Sequence, residues 1–326
     1  MLSRVAESIY WIGRYVERAE NTARLLDVSL RSSRELATSY RPGAEIESEV
    51  TLLLRAVGEE EAYNSRYGAV TDDGLASFLV TDQENRSSVV SCLTVARNSA
   101  RGVRESISSE MWEELNRAYL NFQRTTSAYL LMEGLHDFCR QIRLASQLFQ
   151  GVTDATMPRD EGWHFLLAGK YLERAGMTAR ILDARLTGVD LEVEQPPEEI
   201  HRWLALLRSV SGYEAYMRLV PGGMRPAAVA EFLLNNVDFP RSVAFGVHRV
   251  QDELIAINRR LGGRRKDGPA GRAAALRLQL EAHVPDNTSP SGLAGYIGGV
   301  IDDCGAIGDL IRRKYFENAA VTPSAP

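Results

Sequence analysis

Residues 13–27 read GRYVERAENTARLLD and residues 169–183 read GKYLERAGMTARILD. Ten of these fifteen positions are identical, including Glu17-Arg18-Ala19 against Glu173-Arg174-Ala175 and Asp27 against Asp183. The correspondence continues outward. Arg55, Val57, Glu61, Ala62 and Tyr63 answer to Arg208, Val210, Glu214, Ala215 and Tyr216, Phe78-Leu79 to Phe232-Leu233, and Ser88-Val89 to Ser242-Val243. An internal repeat of this length makes each half one structural unit. We therefore divide the 326 residues into a first unit (1–150), a second (151–316) packed with it as one body, and a frayed tail (317–326).

Within each unit the apolar spacing is that of helices. Ile12, Val16, Ala19, Ala23, Leu26 and Leu30 form one stripe, and Val89, Leu93, Ala96, Ala100, Val103 and Ile107 another. Val243, Val247, Val250, Leu254, Ile257 and Leu261 repeat the second stripe in the other half. Ser108 precedes a helix that the pattern carries to about Gln150, where Gly151 and Pro158 are expected to break it. Ser87 and Ser242 are expected to cap the helices that follow them. No segment alternates with period two, so the expected fold is an all-α bundle with the two repeats related by a pseudo-twofold. GVDLEVEQPPEE (188–199) and GGRRKDGPAGR (262–272) read as a surface loop and a mobile link.

Composition narrows the function. Thirty-eight basic and forty-three acidic residues leave a net charge of −5, which argues against a dedicated nucleic-acid binder. The three cysteines lie far apart without a CxxC, so a reducing cytoplasm is the expected location. No run approaches the roughly 18 apolar residues of a membrane span, and the N-terminus is not a signal peptide. Neither a metal nor a cofactor is expected: no Glu-x-x-His pair, phosphate loop or dinucleotide fingerprint occurs.

Two constellations could carry function. Arg14, Glu17, Arg18 and Asn21 share the face of the first helix opposite its apolar stripe, beside Tyr10, Trp11 and Leu25. Aromatic neighbours and the recurrence of the pair as Glu173-Arg174 point to a buried or cleft-lining pair instead of a solvated one. Arg180 closes the repeated motif. The second constellation is Arg97, Arg101 and Arg104, at i, i+4, i+7 beside an apolar stripe, where guanidinium groups can line a groove for carboxylate or phosphate. Its counterparts are Gln251, Ile255 and Asn258, so this stripe exists in one repeat only.

The opening MLSRVAESIYWIGRYVERAENTARLLD, together with NRSSVVSCLTVARNSARGVRESISSEMWEELN (85–116), FQGVTDATMPRDEGWHFLLAGKYLERAGMTARILD (149–183) and FPRSV (239–243), resembles the bacterial alpha-E family over nearly the whole chain. The family's Glu-Arg motif falls on Glu17-Arg18 and Glu173-Arg174, while Gly176 and Arg86 depart from its pattern. The resemblance implies an all-helical fold and association with circularly permuted ATP-grasp ligases and transglutaminase-like proteins. Three functions are then open. The chain is an accessory component that holds an anionic amino-acid or peptide ligand on Arg14, Glu17, Arg18, Arg97, Arg101 and Arg104, or docks the ligase. It is an enzyme with Glu17 as general acid/base above those arginines. Or it is a structural assembly protein, with self-association open.

Overall fold

The computed structural model describes residues 1–39, 44–126, 130, 134–186, 196–262, 268–282 and 290–317. Residues 187–195 of the acidic loop, 263–267 of the glycine-rich link and 318–326 of the tail lie outside them. Among the described residues there are fourteen α-helices and no strand. The first seven are α1 (Ser3–Ser39), α2 (Ala44–Val57), α3 (Glu60–Tyr67), α4 (Asp72–Ala76), α5 (Val89–Gly102), α6 (Ser109–Phe122) and α7 (Leu135–Thr156). The other seven are α8 (Glu161–Leu186), α9 (Pro197–Ser209), α10 (Tyr213–Leu219), α11 (Pro226–Asn235), α12 (Val243–Arg260), α13 (Pro269–Glu281) and α14 (Pro290–Ile311), the last continuing into a π-helical turn at Arg312–Glu317.

The two helices that carry the Glu-Arg motif form the centre. α1 lies along α8; α5 and α7 flank α1, and α12 and α14 flank α8. α2 packs on both central helices, and α9 packs on α1. Almost every residue of α8 from Gly162 to Leu186 is buried, as expected of a helix surrounded on all sides. The closeness of the crossing comes from two glycines. A Cβ on Gly13 would stand closer than 3.0 Å to the carbonyl oxygen of Leu166, and one on Gly169 equally close to that of Tyr10. The two backbones therefore touch, which only glycine permits.

The apolar stripes read from the sequence are buried at every position except Leu261, which is exposed. Four local expectations change. The caps are Ser88, which accepts from the Ser91 amide, and Ser242, which accepts from Phe245; Ser87 instead donates its own amide to Asn85 Oδ1. The helix expected from Ser108 to Gln150 is two helices, since α6 ends at Phe122 and α7 starts after Gly134, whose φ is 104°. α7 then passes Gly151 and stops at Thr156, so the division drawn at residue 150 falls inside a helix. Gly151 has open space around it, and an isolated glycine costs a helix only about 1 kcal/mol. The effective stop is Met157, held extended ahead of Pro158. In the link, Pro269 begins α13, which already spans residues 269–272.

Candidate functional site: a cleft over an arginine cluster

Adjacent helical residues point about 100° apart, so Glu17 cannot pair with Arg18 on its own helix. The structure resolves this by exchange. Arg174 donates from Nε and Nη2 to Glu17 at 2.7 Å each, a bidentate pair, and Arg18 donates to Glu173 at 2.7 and 3.1 Å. Each motif's glutamate is satisfied by the other motif's arginine. Both carboxylates are buried. Burial alone would raise the Glu17 pKa, but Arg174 and Arg241 outweigh it and hold the group at about 2. Burial opposes ionisation of Glu173 too, and Arg14 and Arg18 overcome it.

Around these pairs the two sides differ. On the Glu17 side, Glu20 fills the space one turn on. It accepts from Arg24 Nε at 2.8 Å, Ser146 Oγ at 2.6 Å and Gln150 Nε2 at 3.2 Å, and also pairs with Arg241. Arg241 reaches Glu17 at 3.3 Å and Asn21 at 2.9 Å. Lys170, the counterpart of Arg14, stands beside this cluster. Its burial, with Arg174 nearby, lowers its pKa to about 8. This side is closed by its own side chains.

On the Glu173 side, Gly176 stands where Glu20 stands in the first repeat. What remains is an open cleft of about 620 Å³ between α1, α8 and α14. Its floor holds Arg14, Glu173 and Arg180, one wall carries Tyr10 and Trp11, and α14 contributes Cys304, Asp302 and Asp309. Arg14 donates to Glu173 at 2.5 Å and to Tyr10 Oη at 2.9 Å, with its guanidinium carbon 5.7 Å from the Trp11 ring centre. Arg180 donates from Nε to the Ala56 carbonyl at 3.1 Å; burial pushes its pKa down, with Glu173 opposing. Three arginines (Arg14, Arg18, Arg180) thus share the field of Glu173. A partly desolvated excess of guanidinium at the bottom of a cleft is an anion-binding arrangement.

The second constellation lies elsewhere. α5 ends at Gly102, which takes Arg104 off the helix and into a short 3₁₀ turn. Arg97 bonds Asn116 at 3.1 Å and lies over Trp112 and Tyr119; Arg104 also lies over Trp112, 4.9 Å from its centre. Arg101 is exposed. None of the three bonds to Glu17, whose partners are Arg174, Arg241 and Gln150. Glu17 is fully buried, so no open groove along these arginines reaches its carboxylate. The geometry disfavours Glu17 as general acid/base, because the carboxylate is fully buried and Arg174 holds both of its oxygens, which keeps it from reaching a substrate proton.

Of the residues named from sequence, the crossing gathers Arg14, Glu17, Arg18, Glu173, Arg174 and Arg180, with only Arg14, Glu173 and Arg180 on the cleft. Sequence reasoning missed Arg24, Arg241, Asp302, Cys304 and Asp309. The usable signal was Gly176, a missing acid in an otherwise repeated motif. Among the described residues no group of three or more His, Cys, Asp or Glu could hold a metal ion, and no helix is long and apolar enough to cross a membrane.

These features define an all-α protein whose two motif helices exchange buried Glu-Arg pairs above an arginine-floored cleft. The chain belongs to the Alpha-E family, described as a predicted alpha-helical domain with a conserved ER motif, which it matches over residues 1–316. It is similar to an uncharacterised protein of Mycobacterium bovis and one of Mycobacterium tuberculosis strain CDC 1551, each 29% identical over 267 residues. A further uncharacterised protein, of M. tuberculosis strain H37Rv, is 28% identical over the same length. The matches cover 77% of this chain and 29% of each relative, so the chain spans less than a third of the curated relatives it matches. No solved structure matches it.

Proposed function

We propose that this chain is an accessory component of a cytoplasmic, ATP-grasp-linked system that forms amide or peptide bonds, and that it holds an anionic amino-acid or peptide ligand. The carrying observation is the cleft floor, where Arg14 and Arg180 meet a single buried carboxylate, Glu173, that Arg18 also binds. The partners follow from the alpha-E resemblance: an ATP-grasp-type ligase and a transglutaminase-like protein. In this reading the fold is a duplicated seven-helix unit about an approximate twofold. The reciprocal Glu17–Arg174 and Glu173–Arg18 bonds and the matched contacts of Gly13 and Gly169 support that arrangement. One repeat has kept an open site and the other has filled its own. The sealed state of Glu17 favours binding over catalysis.

Co-purification of the tagged chain with a circularly permuted ATP-grasp ligase from the same genome, followed by ligase assays with and without the chain, tests the role. A stable complex and a change in ligase turnover are expected. Neither a complex nor any change in turnover would sink the proposal.

A further inference from the structure

We infer that the cleft is the vacated place of one carboxylate, and that its ligand is a zwitterionic amino acid or short peptide whose carboxylate fills that place on Arg180. This rests on the ligand-holding reading above and names its chemistry.

The first repeat shows what is missing. Arg24 lies four residues after Glu20 and binds it at 2.8 Å, with Ser146 and Gln150 completing the carboxylate's shell. Arg180 lies four residues after Gly176, at the matching position. Its hydrogen bonds go to the Ala56 carbonyl and, at 3.9 Å, to the Met177 sulfur, and none goes to a carboxylate among the described residues. The space beside it is real. A Cβ on Gly176 would meet only Arg180 Nη1 at 3.5 Å and the Cys304 Cβ at 3.8 Å, ordinary contacts. One on Gly308, across the cleft, would meet Arg14 Nη1 at 3.6 Å. Gly176 stands where the other side has Glu20. Glu173 cannot supply the missing charge, because Arg14 and Arg18 already hold it.

The rim selects among anions. Asp302 and Asp309 line the same cleft from α14 and are exposed; the one cation on this rim among the described residues, Arg312, is shared between Asp309 at 3.4 Å and Glu317 at 2.8 Å, so the rim stays net acidic. The two aspartates repel a multiply charged phosphate and attract an ammonium group. A carboxylate on the arginine floor with an ammonium toward these acids is the charge pattern of a free amino acid or of a peptide with a free amino end. The planar guanidinium of Arg180 suits the carboxylate bidentately.

Isothermal titration of the full chain with L-glutamate and the dipeptide Ala-Glu, against N-acetyl-Ala-Glu and inorganic phosphate, reads the inference directly. Ala-Glu or L-glutamate should bind the wild type, the acetylated form several-fold more weakly, and phosphate should not compete. Gly176→Glu places a carboxylate beside Arg180 within the chain, so it should weaken binding by about tenfold or more while raising the melting temperature. Arg180→Gln should weaken binding by about as much without raising it, and decides alone if Gly176→Glu does not fold. Unchanged binding by a folded Gly176→Glu or Arg180→Gln protein overturns the assigned subsite and leaves ligand holding itself intact. Phosphate competing as well as the dipeptide overturns the ligand class. Ligase capture with no binding of either probe overturns the inference and leaves docking standing.

Discussion

Replacing Glu17 by alanine is expected to destabilise the protein by about 3–5 kcal/mol, the cost of stripping a buried ion pair of one partner. The reason lies in what stays behind. Arg174 and Arg241 are 8% and 11% exposed in their side chains, so neither guanidinium can recover its solvation when the carboxylate is removed. Glu17→Gln, which keeps the shape and an acceptor oxygen, should lose less. Urea unfolding of the three proteins measures this, and a loss below about 1 kcal/mol for Glu17→Ala would refute a structural role, that being the scale of exposed pairs. The same pair predicts a pH dependence. The folded pKa of about 2 lies below the ordinary value of 4.5, so between them the unfolded chain binds more protons. The contribution is therefore complete above about pH 4.5 and is lost as pH falls through the window to about 2. Glu173, also depressed, adds to the loss on the acid side. Urea midpoints at pH 7 and pH 3 should differ more for the wild type than for Glu17→Ala.

Gly13→Ala and Gly169→Ala should each destabilise by about 2 kcal/mol or more, against the direction of helix propensity. Both glycines sit inside long helices, where alanine is favoured by about 1 kcal/mol. The added methyl would press on a backbone carbonyl oxygen of the partner helix, Leu166 in one case and Tyr10 in the other. A carbonyl in a hydrogen-bonded helix cannot rotate aside as a side chain does, so α1 and α8 must separate. Separation also lengthens the Glu17–Arg174 and Glu173–Arg18 bonds, and the two losses should couple in a double-mutant cycle with Glu17→Gln. Gly151→Ala is the control, since nothing lies within 4 Å of its added Cβ. It should stabilise by about 0.5–1 kcal/mol. If Gly13→Ala behaves like Gly151→Ala in thermal unfolding, the touching crossing is wrong.

Much of the architecture was legible from local pattern. The stripes at Ile12–Leu30 and Val89–Ile107 mark buried faces because helical periodicity reports burial directly, and Leu261 departs only because α12 has ended at Arg260. The break between α6 and α7 was not legible, since the residues that would mark it are less emphatic than Gly151, which does not break a helix at all. The site was half legible. Recurrence of Glu-Arg said that the pair is constrained; it did not say which arginine holds which glutamate. The arginine stripe looked like a groove on a helical wheel, yet α5 stops before Arg104 and Trp112 lies between the arginines.

By itself the sequence determined the all-α class and the recurrence of the Glu-Arg motif at residues 17–18 and 173–174, because spacing and recurrence are properties of the chain. Tertiary structure alone decided that the pairs exchange between α1 and α8, since i and i+1 side chains diverge and each glutamate must find its partner across the crossing. It also decided which side is open. A glycine in place of Glu20 is a small edit in one dimension, but it falls at a junction of three helices, on a cleft of about 620 Å³ with arginines at its floor.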